Sequence, residues 1–312
     1  MHNESQDSRW PQVAVVGAGA VGCYFGGMLA RAGAPVMLIG RRQHVDAISR
    51  EGLLLDGLHV HERVPARAST ELSAVRDSRI VLFCVKTVDT EAVAEALHPH
   101  LAAGSVLVSL QNGVDNVARI HAATKIQAIP AVVYVACAMT APGHVTHSGR
   151  GDLVVGPRDA RTEKVAAVFE RAGVPCRISE NIEGELWTKL LMNCAGNAIS
   201  ALARVTYGTI AADEDARTLV AAVVREVLEV ARAAGAQVPG METPEAVIAT
   251  ALKLSAQMSH ATSSTAQDLE RGKRTEIASL NGYVARRGAE LGVAAPVNQA
   301  LYALVKLAEA RG

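Results

Sequence analysis

The chain of 312 residues carries 31 Lys and Arg against 31 Asp and Glu, and 49% of its residues are hydrophobic. Such a composition is that of a globular protein long enough for two domains, and the balanced charge argues against binding to nucleic acid or to an anionic membrane. Five widely spread cysteines without a C-x-x-C pair argue against a disulfide framework or a zinc site and favour a reducing cytosol.

The amino-terminal stretch, MHNESQDSRWP, is polar and lacks the apolar core of a secretory signal. We therefore expect a loose lead-in and a cytoplasmic protein. The longest apolar run, AIPAVVYVACAM, is interrupted by Pro130 and is far shorter than the roughly 20 residues that a membrane-spanning helix needs. No membrane segment is predicted.

Up to about Ile178, short β-rich segments alternate with helical patterns. This alternation predicts a mostly parallel sheet that is covered by helices on both faces. The predicted strands are VAVVG, PVMLIG, RIVLFCVK, SVLVSLQNG, IQAIPAVVYVA and DLVVG.

The first predicted strand runs directly into a G-x-G-x-x-G turn formed by Gly17, Gly19 and Gly22. In such a turn the first glycine permits a tight bend, the second lets backbone N–H groups approach a pyrophosphate, and the third lets the helix pack on the strand. The amino terminus of the helix adds a partial positive charge. The turn, with its intervening Ala20 and Val21, is therefore predicted to bind a dinucleotide.

The second strand ends in LIGRR, where most proteins with this turn carry an acidic residue about twenty positions on. A carboxylate would bind the ribose 2′-hydroxyl but repel a 2′-phosphate, whereas the guanidinium of Arg41, followed by Arg42, matches phosphate geometry. We therefore predict NADP(H) as the cofactor. The alternative is that both arginines only solvate a loop, with Asp46 as a poorer ribose ligand inside the next helix.

The pattern changes near residue 180, after SENIEG, and from there almost every segment reads as helix. The sequence thus predicts an NADP-binding α/β domain over residues 1–180 and a helical substrate and catalytic domain over residues 181–312. The predicted helices are LWTKLLMNCAGNAISALA, DARTLVAAVVREVLEVARAAG, PEAVIATALKLSAQM, TEIASLNGYVARRGAELG and NQALYALVKLAEA.

The first of these helices carries Lys189, Asn193 and Asn197 at spacings of four. Each step of four advances about 40° beyond a full turn, so the three side chains share one stripe. Burying them without partners would cost roughly 1–3 kcal/mol each, and a cleft facing the cofactor domain would explain them. The alternative is that the asparagines bond neighbouring helices while Lys189 extends to solvent. The residues expected to face the core instead are Leu190, Leu191, Met192 and Ile199.

A second polar segment, TSSTAQDLERGKRTEI, follows later in the helical half. Ser264 is expected to cap one helix, with Gln267 at its third position. Thr275 and Glu276 are expected to open the next helix. Capping by Ser263 or Ser264, and complementation of a helix dipole by Glu276, would explain these residues without any role in catalysis.

Six motifs in order give the chain a resemblance to the ketopantoate reductase family, also called 2-dehydropantoate 2-reductases, from Val13 to about Lys306. They are GAGAVG, LIGRR, FCVKT, SLQNG, KLLMNCAGNAISAL and SSTAQDLERGKRTEI. The resemblance implies a Rossmann-type doubly wound sheet followed by an all-helical carboxy-terminal domain. It also implies NADPH-dependent reduction of ketopantoate to pantoate, on the route to pantothenate and coenzyme A. Gln111 departs from those members that carry histidine before Asn–Gly.

The resemblance also implies a role for each matching residue. Lys189 corresponds to the lysine that donates a proton to the carbonyl oxygen, and a lysine is protonated at neutral pH. Glu276 corresponds to the glutamate that accepts a hydrogen bond from the substrate hydroxyl or orients Lys189. The implied substrate-binding residues are Asn193, Asn197, Ser264 and Asn112. The implied cofactor-binding residues are Gly17, Gly19, Ala20, Val21, Gly22, Arg41, Lys86 and Asn112.

The predicted partner is a small-molecule 2-keto acid, with no metal, nucleic acid or membrane, and a homodimer is a possible assembly. Two alternatives stay open at this point. One is an NADP-dependent reductase of another branched 2-keto acid or a related carbonyl compound. The other is a protein that only senses NADPH, which would have no need of the polar residues on the catalytic helix.

Overall fold

The computed structural model describes residues 10–58, 60–239 and 243–311. Most of the expected polar lead-in, residues 1–9, lies outside the described residues. The chain forms two compact units, of which the first ends at Ile182 and leaves out Asn112–Val114. The second unit contains Asn112–Val114 and the chain from Glu183 onward. The sequence analysis had placed Asn112 in the first domain, so the structure revises that assignment for this short segment.

The first unit is built on a mixed sheet. Its strands in the described residues are β1 (Val13–Val16), β2 (Val36–Ile39), β3 (Leu53–Gly57), β4 (His61–Val64), β5 (Arg67–Ser69), β6 (Ile80–Phe83), β7 (Val106–Ser109), β8 (Ile129–Ala141), β9 (His144–Val155) and β10 (Cys176–Ile178). Its helices are α1 (Ala20–Arg31), α2 (Arg42–Glu51), α3 (Thr90–Leu97), α4 (Asn116–Thr124) and α5 (Ala160–Arg171).

The central part of the sheet is parallel and runs in the order β5, β2, β1, β6, β7 and β8. Every residue of β1, β2 and β6 is buried. Strands that are covered on both faces read as continuous apolar runs rather than as alternating patterns. This is the strand order of a Rossmann fold, so the predicted α/β fold class is confirmed.

An antiparallel extension completes the sheet. The hairpin of β8 and β9 turns at Pro142 and Gly143, and β9 also pairs in parallel with β3 and β10. The sequence analysis predicted the first half of β8 and the end of β9, but it missed the outer halves of the hairpin and β3, β4, β5 and β10. These segments are short or polar and are stabilised by their partners in the sheet, so their own sequence carries a weak signal.

The second unit is helical in all its described elements, as predicted. The helices of this half are α6 (Ile182–Ala203), α7 (Tyr207–Ala212), α8 (Glu214–Ala233), α9 (Pro244–Gln257), α10 (Ser264–Glu270), α11 (Asn281–Leu291) and α12 (Pro296–Glu309). Apolar side chains from α6, α8, α11 and α12, among them Leu190, Val227, Val284 and Leu301, form its core.

The helices of this half differ from the sequence analysis at two places. The short helix α7 was not predicted. The segment that follows Thr275 is not one helix, because a 3₁₀ turn over Ile277–Ser279 comes first and α11 begins only at Asn281. Leu280 interrupts the two with a non-helical backbone, at φ −108° and ψ −110°.

Within the described residues, no helix combines the length and the apolar character needed to cross a bilayer.

Candidate active site

The turn between β1 and α1 requires glycine at two of its three predicted positions. Gly17 has φ +105°, and a Cβ there would lie 2.7 Å from the backbone carbon and oxygen of Cys84. A Cβ on Gly22 would lie 2.2 Å from the carbonyl oxygen of Gly17 and 2.8 Å from Val15 Cγ1. These distances are far below van der Waals contact, so a side chain at Gly17 would clash with the backbone that follows β6, and one at Gly22 would clash with the turn and with β1.

Gly19 differs from the other two glycines because its surroundings are open. A Cβ at Gly19 would meet no heavy atom within 4 Å in the described structure. Gly19 is the N-cap of α1, with no side-chain cap, and the first turn of the helix contains no acidic residue. Backbone N–H groups and the positive end of the helix dipole thus border open space, an arrangement suited to an anionic phosphate.

Two basic residues follow the end of β2. A Cβ on Gly40 would lie 2.6 Å from the Cβ of Ala18, so the absence of a side chain brings the end of β2 close to the glycine-rich turn. Arg41 follows as the N-cap of α2, and both Arg41 and Arg42 are exposed. Among the described residues, neither guanidinium forms an ion pair with a carboxylate. The competing residue, Asp46, lies exposed inside α2.

Lys86 occupies the matching position after β6, as the exposed N-cap of a 3₁₀ turn over Thr87–Asp89. The parallel strands β1, β2 and β6 end on the same edge of the sheet. In open α/β sheets, ligands bind outside this edge. The structure therefore places the glycine-rich turn, Arg41 and Lys86 at one edge of the first unit.

In the helical unit, α6 divides its side chains as the sequence predicted. Lys189 and Asn193 are half-buried, and Asn197 is only 3% exposed. The neighbouring positions Leu190, Leu191 and Ile199 are buried in the core, and Met192 packs partly against it. Because residues four apart share one side of a helix, Lys189, Asn193 and Asn197 form a polar stripe on α6. None of the three belongs to the apolar core of the unit.

The innermost residue of this stripe is tied to a neighbouring helix. The hydroxyl of Tyr207 donates a hydrogen bond to Asn197 Oδ1 at 2.8 Å. Burial raises the pKa of Tyr207, so its phenol stays protonated and can serve as the donor. A Cβ on Gly196 would lie 2.7 Å from the Tyr207 ring, which explains the glycine at this position. The side-chain oxygen of Asn197 is therefore bonded to a neighbouring helix, which is the alternative to substrate binding given in the sequence analysis.

The capping residue of α10 is Ser263 and not Ser264. Ser263 Oγ accepts a hydrogen bond from Ala266 N at 3.0 Å and donates one to the backbone oxygen of Asn197 at 2.9 Å. Ser264 is the first residue of the helix and is exposed. The prediction that Ser264 caps this helix is wrong, because the neighbouring serine takes that position and ties α10 to the backbone of α6.

Two predicted site residues from distant parts of the sequence meet in the second unit. Asn112 Nδ2 donates a hydrogen bond to Glu276 Oε2 over 3.0 Å, and the two residues are 164 positions apart. Val114 packs against the core of the same unit. The side chain of Glu276 is half-buried and makes no N-cap hydrogen bond. The amide of Asn112 is therefore one partner of this carboxylate, which does not cap its own 3₁₀ turn.

Gln111, the residue that departs from the family pattern, is buried and hydrogen-bonded within the first unit. Its Nε2 donates to the backbone oxygen of Val85 at 3.1 Å and to Thr90 Oγ1 at 2.8 Å. Its Oε1 accepts from Ser109 Oγ at 2.9 Å. The Gln111 side chain thus fixes the segment at the carboxyl end of β7 within the first unit.

A separate pocket of about 290 Å³ lies on the helical unit. Its lining includes none of the predicted site residues. The lining residues are Val114, Glu183, Trp187, Ala234, Tyr283, Arg287 and Glu290. Likewise, the part of the chain that the structure describes contains no group of three or more His, Cys, Asp or Glu placed to hold a metal ion.

Comparison with known families finds two matches that follow each other along the chain. Residues 13–160 match the family described as ketopantoate reductase PanE/ApbA, and residues 181–309 match its carboxy-terminal domain. A 2-dehydropantoate 2-reductase of Halobacterium salinarum is 33% identical over 96% of this chain and 100% of its own length. The corresponding protein of Archaeoglobus fulgidus is 34% identical over 96% of this chain and 98% of its own.

Solved structures agree with these matches. A PanE/ApbA family ketopantoate reductase from Ralstonia eutropha JMP134 has a TM-score of 0.90 and 46% identity, over 96% of this chain and 99% of that one. A 2-dehydropantoate 2-reductase from Geobacter metallireducens GS-15 has a TM-score of 0.85 and 30% identity, over 95% of this chain and 99% of that one.

Proposed function

Because the chain belongs to the ketopantoate reductase family, we propose that it reduces ketopantoate, 2-dehydropantoate, to pantoate with NADPH. The observation that carries this proposal is the polar stripe of α6. A half-buried lysine stands in line with two asparagines on a helix whose neighbouring positions are packed in the core. An ammonium group and two amides in one line on a helix beside an apolar core are suited to binding the carbonyl and carboxylate oxygens of a keto acid.

Reduction of the ketone requires a hydride at the carbonyl carbon and a proton at the carbonyl oxygen. When bound, NADPH supplies the hydride. We assign the proton to Lys189, whose ammonium group would polarise the ketone and stabilise the negative charge that develops on its oxygen. Asn193, Ser264 and the amide of Asn197 would bind the polar groups of the substrate.

Glu276 is proposed to accept a hydrogen bond from the substrate hydroxyl or to orient Lys189. Its bond from Asn112 supports this assignment, because a carboxylate held by an amide donor keeps a defined orientation. Asn112 would then act both on Glu276 and beside the nicotinamide.

The decisive variant for the proton donor is Lys189→Ala. We expect it to slow reduction of ketopantoate by about 10²–10⁴-fold, the usual contribution of a positioned general acid. Affinity for NADPH, measured by fluorescence titration, is expected to stay unchanged. Lys253→Ala is the matched control, because Lys253 is exposed on α9 and outside the proposed site. Wild-type turnover in Lys189→Ala would refute the assignment.

The substrate is tested with a panel of branched 2-keto acids in an NADPH oxidation assay. We expect ketopantoate to give the highest kcat/KM. If another acid ranks well above it, the chain is a reductase of that acid, with the same chemistry at Lys189. A protein that binds NADPH but reduces no member of the panel would be a sensor, and the proposal would be wrong.

The preference for NADPH over NADH is proposed to reside at Arg41, with Arg42 beside it. Their exposure and the lack of carboxylate partners in the described residues support this, since a free guanidinium can bind a 2′-phosphate bidentately. Hydrogen bonds to charged groups contribute about 1.5–3 kcal/mol, so Arg41→Ala is expected to weaken NADPH binding by roughly 10–100-fold.

NADH should bind Arg41→Ala as it binds the wild type, which fluorescence titration of both cofactors measures. Arg50→Ala is the control at the other end of α2, where the side chain is paired with Glu51. Equal losses for NADPH and NADH would mean that Arg41 has a structural role. The cytoplasmic location and the homodimer stay predictions.

A further inference from the structure

The last residue of α12 is bonded to the segment that carries Glu276. Glu309 Oε1 accepts hydrogen bonds from Thr275 N at 2.7 Å and from Thr275 Oγ1 at 2.5 Å. Its second oxygen, Oε2, accepts from the ammonium group of Lys306 one turn earlier on the same helix. The Glu309 side chain is 9% exposed and Thr275 is buried. These contacts lie outside the functional assignments made above.

The carboxylate of Glu309 is held in its charged form. Burial alone would raise its pKa, but the hydrogen bonds from Lys306 and Thr275 outweigh burial and keep the pKa below its usual range. Hydrogen bonds to an ionised acceptor are about twice as strong as neutral ones. The bonds to Thr275 are therefore among the stronger restraints on this part of the chain.

Thr275 passes this restraint to the backbone on both sides of Glu276. Its nitrogen and hydroxyl are bonded to Glu309, and its Oγ1 also accepts from Ile277 N at 3.2 Å. The carbonyl oxygen of Glu276 accepts from Ser279 N at 2.8 Å. With its backbone fixed in this way, Glu276 receives the amide of Asn112.

We propose that Glu309 is a positioning residue for Glu276: through Thr275 it holds the Glu276 carboxylate in the orientation in which it meets Asn112 and the substrate. This inference rests on the proposed function, since it assigns a purpose to the orientation of Glu276. It places an essential contact of the active site at the far carboxyl end of the chain, 33 residues after the group that it orients.

A purely structural role for Glu309, anchoring the end of α12, predicts different kinetics. Glu309→Ala would then lower the free energy of unfolding, while the folded protein kept the wild-type kcat. A positioning role predicts a lower kcat in the folded protein, because a displacement of about 1 Å in an active site can reduce the rate by about 10²-fold. We expect Glu309→Ala to reduce kcat by about 10–100-fold, with NADPH affinity within about twofold of the wild type.

Two comparisons sharpen the test. Glu309→Gln keeps an oxygen acceptor for both Thr275 groups but loses the charge, so it is expected to recover part of the lost kcat. Lys306→Ala removes the ammonium group from Oε2 but leaves both Thr275 groups bonded to Oε1, so its kcat should stay closer to the wild-type value than that of Glu309→Ala. If Glu309 only anchored α12, all three folded variants would keep the wild-type kcat, and no such order of kcat would be seen.

The connection through Glu276 is tested by a double-mutant cycle with Glu276→Gln. If Glu309 acts through Glu276, Glu309→Ala should cause little further loss of kcat once Glu276 has been replaced. Should Glu309→Ala fail to fold, Thr275→Val and Thr275→Ser make the same comparison, since only serine keeps the hydroxyl. We expect Thr275→Val to lower kcat and Thr275→Ser to keep a kcat close to the wild-type value.

The outcomes separate this inference from the proposed function. A wild-type protein that reduces no 2-keto acid would refute the proposed function and this inference with it. A wild-type protein that is active, with an unchanged kcat in Glu309→Ala, would overturn the inference alone. Additive losses in the double-mutant cycle would also overturn it, because Glu309 would then act independently of Glu276.

Discussion

Replacing Ser263 by alanine removes two hydrogen bonds from the interior of the helical unit. The hydroxyl caps α10 through Ala266 N and donates to the backbone oxygen of Asn197, and the residue is 1% exposed. Loss of a serine N-cap costs roughly 0.5–2 kcal/mol, and loss of the second bond adds about 1 kcal/mol. We therefore expect Ser263→Ala to lower the free energy of unfolding by about 1.5–3 kcal/mol.

Ser264→Ala is the matched control for this prediction. Ser264 is the next residue, is exposed, and makes no hydrogen bond through its hydroxyl within the described structure. Surface substitutions of this kind usually change stability by less than about 0.5 kcal/mol. If Ser264 binds a polar group of the substrate as proposed, its replacement should raise KM without affecting the free energy of unfolding.

Urea unfolding measures both variants. The chain has two tryptophans, of which Trp187 is buried in the helical unit, so a Trp10→Phe background restricts the fluorescence signal to that unit. Linear extrapolation then gives the free energy of unfolding, with m as a check that the transition is unchanged. If Ser264→Ala lowers the free energy of unfolding as much as Ser263→Ala does, or more, the assignment of Ser263 as the cap is refuted.

Two further predictions concern the first unit. Gly22→Ala should abolish NADPH binding, because its Cβ would lie 2.2 Å from Gly17 O, whereas Gly19→Ala fits the free protein and should lower only NADPH affinity. Thermal unfolding and NADPH titration compare the two, and wild-type affinity in Gly22→Ala would contradict the geometry. Burial raises the pKa of Cys23 to about 12, so this thiol stays protonated at pH 8. Mass spectrometry after iodoacetamide treatment should find Cys23 unlabelled in the native protein and labelled in urea; rapid native labelling would show that it is accessible.

Much of the fold could be predicted because its signals are local. The strand, the glycine-rich turn and the helix that begins at Ala20 are consecutive in the chain, and steric limits on glycine act between near neighbours. The stripe of Lys189, Asn193 and Asn197 follows from the period of a single helix. The break between the α/β and helical patterns is likewise visible in consecutive residues, without knowledge of how they pack.

Contacts between distant segments could not be predicted in this way. The choice of Ser263 over Ser264 as the cap depends on the position of the Asn197 backbone, and the strands β3 and β10 depend on β9 as their partner. Which residues are chemically suited to bind phosphate, donate a proton or line one helix face could be predicted from the sequence, since these are properties of residue types and short-range geometry. The bonds between Asn112 and Glu276 and between Glu309 and Thr275, in contrast, are visible only in the folded chain. Hydrogen bonds form between groups that are close in space, and that closeness is set by the packing of the whole unit.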